Sequence, residues 1–160
     1  ESSDLLFIAP SAPITSLLPQ LLVKGVKEII SSKKIIWFSP IFCFENDEKP
    51  AGNFYLKVLE EYGARIDKII LPDTTKISKE LLEKYEEVGL FPVTFDPFPS
   101  NAIIADLLPD ELPNQSPQLV TYRFDISLRR WFIFIRHDPL KFADLILSLL
   151  KQEEEEGLKN

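Results

Sequence analysis

Two short apolar runs do not alternate with polar residues, and they constrain this chain more than any other feature. They are Leu5-Leu6-Phe7-Ile8-Ala9 and Ile35-Ile36-Trp37-Phe38, and residues 66–71 read as a third strand. A strand with one wet face alternates with period two, whereas a strand buried on both faces reads as a continuous apolar stretch. Both-face burial is the condition of strands in a parallel sheet covered by crossover helices. Residues 15–32 support this, because Leu18, Leu22, Val26, Ile29 and Ile30 fall on one side of a helix and Gln20, Lys24, Lys27 and Glu28 on the other.

Further elements follow in alternation. Residues 54–62 read as a helix closed by Gly63. Ser78 is an N-cap for a helix ending near Gly89, and Ile77 is placed to staple onto Leu82. Residues 91–95 read as a fourth strand, which Pro92 restricts to an edge or a strand start. The four runs at 5–9, 35–38, 66–71 and 91–95 are therefore expected to be parallel neighbours joined by right-handed crossovers.

Residues 96–118 hold Pro97, Pro99, Pro109, Pro113 and Pro117 around a short apolar turn, 102–108, and read as a lid or a packed excursion. Residues 119–124 and 128–136 alternate and read as an antiparallel hairpin that makes one end of the sheet mixed. Asp138 caps and Pro139 opens a last helix whose narrow polar stripe predicts that it is largely buried, or partly buried by another subunit. The expected fold is a three-layer Rossmann-like or RecA-like open α/β sheet, mostly parallel, with the hairpin and final helix appended. One domain is expected over 1–152, followed by an acidic tail at 153–160. The chain opens on Glu1-Ser2-Ser3-Asp4 without Met, which suggests an excised domain with flanking regions absent.

Composition narrows function mainly by exclusion. The net charge of −7 opposes nucleic acid, apart from a small patch of Arg129, Arg130 and Arg136 around Trp131. Cys43 is the single cysteine, so no intrachain disulfide and no cysteine-based metal site can form, and a reducing cytoplasmic or nuclear setting is expected. Flanked by Phe42 and Phe44, it reads as a buried inert thiol. No run approaches the roughly 20 apolar residues of a membrane span.

The turn after the first run, Ala9-Pro10-Ser11-Ala12-Pro13, has no glycine, and its prolines remove two amide donors, so the usual phosphate-loop fingerprints are missing. His137 is the single histidine and reads as a surface or capping residue beside Asp138. The loop Glu45-Asn46-Asp47-Glu48 matches no calcium-loop spacing and reads as hydrated. No catalytic residue, metal or cofactor is assigned.

Open α/β sheets place ligands outside the carboxyl ends of their parallel strands. On the expected topology those ends carry Ser11, Ser39, Asp73 with Thr74 and Thr75, and Asp96 with Ser100 and Asn101. The set is polar and acidic, suited to a small cationic or hydroxylated ligand.

Residues 34–39 with 55–64, and residues 91–101, resemble a strand–helix opening and a later strand and turn of the RecA-like lobe of helicase-type ATPases. The arginine-bearing ATPase motifs have no counterpart, so the resemblance implies at most a lobe without ATPase activity.

The leading expectation is a non-catalytic protein-interaction or scaffold domain in a larger intracellular complex. Its interface would be the hairpin face carrying Arg129, Trp131, Ile133 and Ile135. The alternative is a small-molecule enzyme, a transferase or hydrolase, working at the carboxyl edge of the parallel strands.

Overall fold

The computed structural model describes residues 5–44, 47–87, 89–112, 120–125 and 130–157, with the side chains of 120–125, 130–134, 156 and 157 left aside. The chain divides into two compact units, Glu1–Ala105 and Asp106–Asn160.

In the first unit, β1 (Leu5–Ile8), β2 (Lys34–Phe38), β4 (Ile66–Pro72) and β6 (Ala102–Ala105) form a parallel sheet in the order β1-β2-β4-β6. β2 is central and shows why its sequence does not alternate: Ile35, Ile36, Trp37 and Phe38 are all 0% exposed. The β2–β4 register slips between Ile35 and Ile36. At that irregularity the Asp67 carboxylate accepts the Ile35 N–H at 2.8 Å, so the displaced donor keeps a partner.

The fourth parallel strand is not the expected one. β5 (Leu90–Pro92) pairs antiparallel with β3 (Phe42–Phe44) in a separate two-stranded sheet. Ala102–Ala105, read from sequence as part of an apolar turn, pairs parallel with β4 instead. Proline lacks the N–H that an interior ladder position requires, which favours the short outlying pair for Pro92.

The helical pattern of residues 15–32 is also broken. A π-turn at Pro13–Leu17 leads into α1 (Leu18–Leu21), and α2 (Val26–Ile30) starts afresh after Gly25 at φ +87°. Of the expected apolar face only Ile30 is buried, while Leu22 and Ile29 are both 62% exposed.

Helix α3 (Ala51–Glu61) packs Ala51, Tyr55 and Leu59 into the core with Ile35 and Trp37 of β2. Gly63 follows it at φ +96°, the left-handed position expected of a C-terminal glycine. Ser78 caps α4 (Lys79–Glu86), its hydroxyl accepting the Leu81 N–H at 3.3 Å.

In the second unit, β7 (Val120–Asp125) and β8 (Arg130–Ile135) pair antiparallel as expected. They form their own two-stranded sheet and do not extend the parallel one. Asp138 caps α5 (Pro139–Gly157), accepting N–H bonds from Leu140 and Lys141 at 2.9 and 3.0 Å. The helix runs through the acidic segment to Gly157. Within this one chain it is not largely buried, because Leu140 is 76% and Leu147 56% exposed, which corrects the first of the two expectations for this helix. Lys141 reaches Asp106, Asp110 and the Leu108 carbonyl, and its hydrogen bond to Asp110 leads the influences that raise its pKa.

Two predictions follow from the packing around α3. A Cβ on Gly52 would sit inside contact distance of the Phe95 ring, so Gly52→Ala is expected to lose about 1–3 kcal/mol in urea unfolding. Phe95→Leu in the same chain should recover part of that loss. Separately, the Tyr55 hydroxyl donates to Asp47 at 2.5 Å, and Asp47 also accepts the Phe44 N–H at 2.7 Å. Burial first, then Asp47, pushes the Tyr55 pKa well above its usual value. A raised folded-state pKa gives stability that is present in full below about pH 10 and is lost as the pH climbs further. Tyr55→Phe should therefore cost about 0.5–1.5 kcal/mol at neutral pH and flatten the alkaline limb of a stability–pH curve.

Candidate functional site

The parallel strands release the chain at one edge of the sheet, and there the first unit holds a cavity of about 250 Å³. Its polar lining comes from Ser39 after β2, Asp73, Thr74 and Thr75 after β4, and Thr94; Phe95 and Phe98 supply aromatic surface. Pro40, Leu71, Pro72, Val93 and Ile104 complete it.

Backbone bonds carry two of these residues just past the ends of their strands. The Ser39 N–H donates to Ile70 at 2.9 Å, continuing the β2–β4 ladder, and the Asp73 N–H donates to Ala105 at 2.8 Å, continuing β4–β6. Ser39 is buried, 1% exposed, and its hydroxyl donates to the Pro40 carbonyl at 3.1 Å. One Asp73 carboxylate oxygen accepts the Thr75 N–H at 3.0 Å and the Thr75 hydroxyl at 2.6 Å, which folds residues Thr74–Lys76 into a single 3-10 turn. That turn sets Thr74 and Thr75 on the wall of the cavity.

The aromatic wall is held from behind. The Gly52 N–H donates to Thr94 at 2.9 Å, the Asp96 N–H donates to the Asn53 side chain at 2.7 Å, and the Val93 N–H donates to Ile41 at 3.0 Å. Between these anchors the Phe95 ring lies edge-on to Trp37, centroids 6.3 Å apart, and Phe98 leans against Phe95 at 6.5 Å. The start of α3 thereby anchors the segment that carries Thr94 and Phe95 of the cavity lining.

Of the six ligand residues expected from sequence, Ser39, Asp73 and Thr74 meet in this cavity. Asp96 is exposed and adjoins the wall through Phe95 without lining the cavity, and Ser11, after β1, is likewise outside the lining. Asn101 is at the opposite end of the sheet. It precedes β6, and its amide donates to the carbonyls of Ile66 and Asp67 at the start of β4. Because 102–105 and not 91–95 is the parallel strand, Asn101 enters a strand where it was expected to leave one. Val93, Thr94 and Phe98 were missed for the same reason, although the aromatic spacing of Phe95 and Phe98 in a proline-rich loop was a usable signal.

The other residues singled out from sequence have structural roles or fall outside the description. Cys43 is buried, with its sulfur donating to the Phe91 carbonyl at 3.2 Å and accepting from Lys49 at 2.9 Å. In the acidic loop Asp47 is committed to Tyr55 and Phe44, while Glu45 and Asn46 lie outside the described residues. Among the described residues no three His, Cys, Asp or Glu side chains gather as a metal site. Of the expected interface, Ile135 is buried, Arg129 lies outside the described residues, and so do the side chains of Trp131 and Ile133. Among the described residues no helix is long and apolar enough to cross a membrane.

Residues 1–108 match the family described as 2-phospho-L-lactate transferase CofD. The chain is 29% identical over 154 residues to the gluconeogenesis factor of Bacillus subtilis, covering 94% of this chain and 44% of the relative. It is 33% identical over 91 residues to the 2-phospho-L-lactate transferase of Methanocaldococcus jannaschii, covering 51% and 29%. A putative gluconeogenesis factor of Aquifex aeolicus is 25% identical over 157 residues, covering 96% and 43%. The chain thus spans less than half the length of these relatives. No solved structure matches it.

These likenesses overturn the expected non-catalytic scaffold or complex subunit, since the family is described by a transferase activity on a small molecule and gives protein partners no support. The nuclear alternative finds no support among bacterial and archaeal relatives. The likeness to helicase-type ATPases gives way to a different family. With its mostly parallel Rossmann-like sheet and a match that runs over residues 1–108 of 160, the chain belongs to the CofD family.

Proposed function

We propose that this chain carries a small-molecule site of a transferase acting on phosphorylated metabolites, with the cavity beyond β2 and β4 as that site. The observation that carries the reading is the position of the cavity. In an open parallel sheet, crossover connections leave a crevice outside the carboxyl ends of the strands, and substrates of α/β enzymes sit there. Here that crevice gathers hydroxyls and one carboxylate from three separate loops, each fixed by a backbone bond. Such a lining orients a substrate without needing a resident nucleophile. Ser39, Asp73 and Thr74 are the residues assigned to ligand contact.

Two of the relatives' names narrow the search. 2-Phospho-L-lactate is the substrate named for one, and gluconeogenesis for the others that match most of this chain. Phosphorylated three-carbon acids and their unphosphorylated counterparts are therefore the first compounds to try, with a cytoplasmic location as the companion proposal.

The test is a thermal-shift panel of those metabolites, followed by phosphorus NMR for turnover of any that bind. A ligand at about 100 times its Kd stabilises the folded chain by about 2.7 kcal/mol, a readable rise in Tm. At least one member should raise the Tm, and Thr74→Val should weaken that response about tenfold while leaving the unliganded Tm within a few degrees. No response from any member, or one indifferent to Thr74→Val, would remove the cavity from consideration.

A further inference from the structure

We propose that α5 is a self-association surface, along which two copies of this chain pair antiparallel through Leu140, Ala143, Leu147 and Leu150. The helix carries two apolar sides. One holds Phe142, Leu145, Ile146 and Leu149, which are buried or half-buried. The other is the stripe itself, whose four members are all exposed, Leu140 at 76%, Leu147 at 56% and Leu150 at 37%. A helix secured by one apolar side and bare on a second has a place for a second partner. That accounts for the narrowness of its polar stripe, Lys141, Asp144, Ser148 and Lys151.

The spacing of the stripe names the occupant. Its members advance by three, four and three residues, the alternation of a coiled-coil seam. The pattern is also its own mirror image about Leu145. In an antiparallel pair with Leu145 level with the two-fold axis, Leu140 of one copy lies level with Leu150 of the other, and Ala143 with Leu147. Every apolar position then meets an apolar position, which is the self-complementary arrangement a two-fold dimer requires. The small Ala143 opposite Leu147 leaves a hole for that knob. At 1.5 Å of rise per residue the seam is about 15 Å long.

Charge selects the orientation. Glu154 and Glu155 are exposed near the end of α5, and a parallel pairing would set these carboxylates beside their own copies. Antiparallel pairing extends the same mirror spacing to Arg136 and Glu154. The exposed Arg136, just ahead of the helix, then stands level with the exposed Glu154 of the other copy, and the pair occurs twice in the dimer. The acidic end also comes to lie beside the other copy's helix N-terminus, where the macrodipole favours negative charge. Asp144 is a cost, because it falls close to the axis and near its own copy. A second copy of this chain supplies both the matching spacing and the opposite charges. So short a seam buries less than a standard interface, and the association is weak.

Sedimentation equilibrium of the chain between about 1 and about 500 µM covers the range of a weak interface. A monomer–dimer equilibrium is expected. Leu147→Asp, at an exposed position, should weaken the dimer by more than about tenfold while leaving the Tm of the dilute chain unchanged. Arg136→Glu and Glu154→Arg should each weaken it about tenfold, since each sets like charges face to face at both ends of the seam. The two substitutions together restore opposite charges in both copies and should return the affinity to within about threefold of the original. A parallel pair, or a dimer through another face, gains nothing from that combination. Monomer at every concentration, a dimer indifferent to Leu147→Asp, or a double variant no tighter than either single one overturns the inference.

Discussion

The rest of the first unit depends on the double-sided burial of β2. A parallel strand cannot return to its neighbour through a tight turn, so each crossover must travel across a face of the sheet and cover it. Ile35, Ile36, Trp37 and Phe38 are the residues that make this favourable, since each is withdrawn wholly from water. The same constraint directs the chain out of β2 and out of β4 at one edge. The cavity is thus a by-product of connectivity, and the residues lining it are those the chain must place at that edge.

What turns the crevice into a shaped site is the close approach of α3. Gly52 lets the helix start press against the Phe95 ring, and the neighbouring Asn53 side chain ties down the Asp96 backbone. Helix start, loop and β2 therefore share one packed cluster with Trp37 at its centre. Tyr55 and Asp47 secure the next turn of that helix to β3. Tight packing of this kind transmits displacement, so a change at the helix start is felt at the aromatic wall.

The sequence disclosed the parallel sheet because burial on both faces leaves a compositional trace, and it disclosed Ser39, Asp73 and Thr74 because strand ends follow from strands. It concealed β6 because Ala102-Ile103-Ile104-Ala105 is only four residues long and sits among prolines, where an apolar turn and a short strand look alike. Phe91-Pro92-Val93-Thr94-Phe95 looked the better strand on propensity, yet partner choice in a sheet is decided by non-local packing that propensity does not contain. That single exchange misplaced Asn101 and hid Thr94 and Phe98. The functional expectation failed for a separate reason. A cavity lined by hydroxyls and one carboxylate carries no catalytic motif, and a missing motif reads in sequence like the absence of function.

Trp37 has a consequence beyond its share of the core. Its indole is fully buried, its N–H has no hydrogen-bond partner among the described residues, and its ring touches the Phe95 side chain that forms the cavity wall. The other tryptophan, Trp131, belongs to the second unit. In a chain carrying phenylalanine at 131, tryptophan fluorescence would come from this one buried indole, which packs edge-on against a ring of the cavity wall. A change in that wall could then be sought in the protein's own emission, without any label.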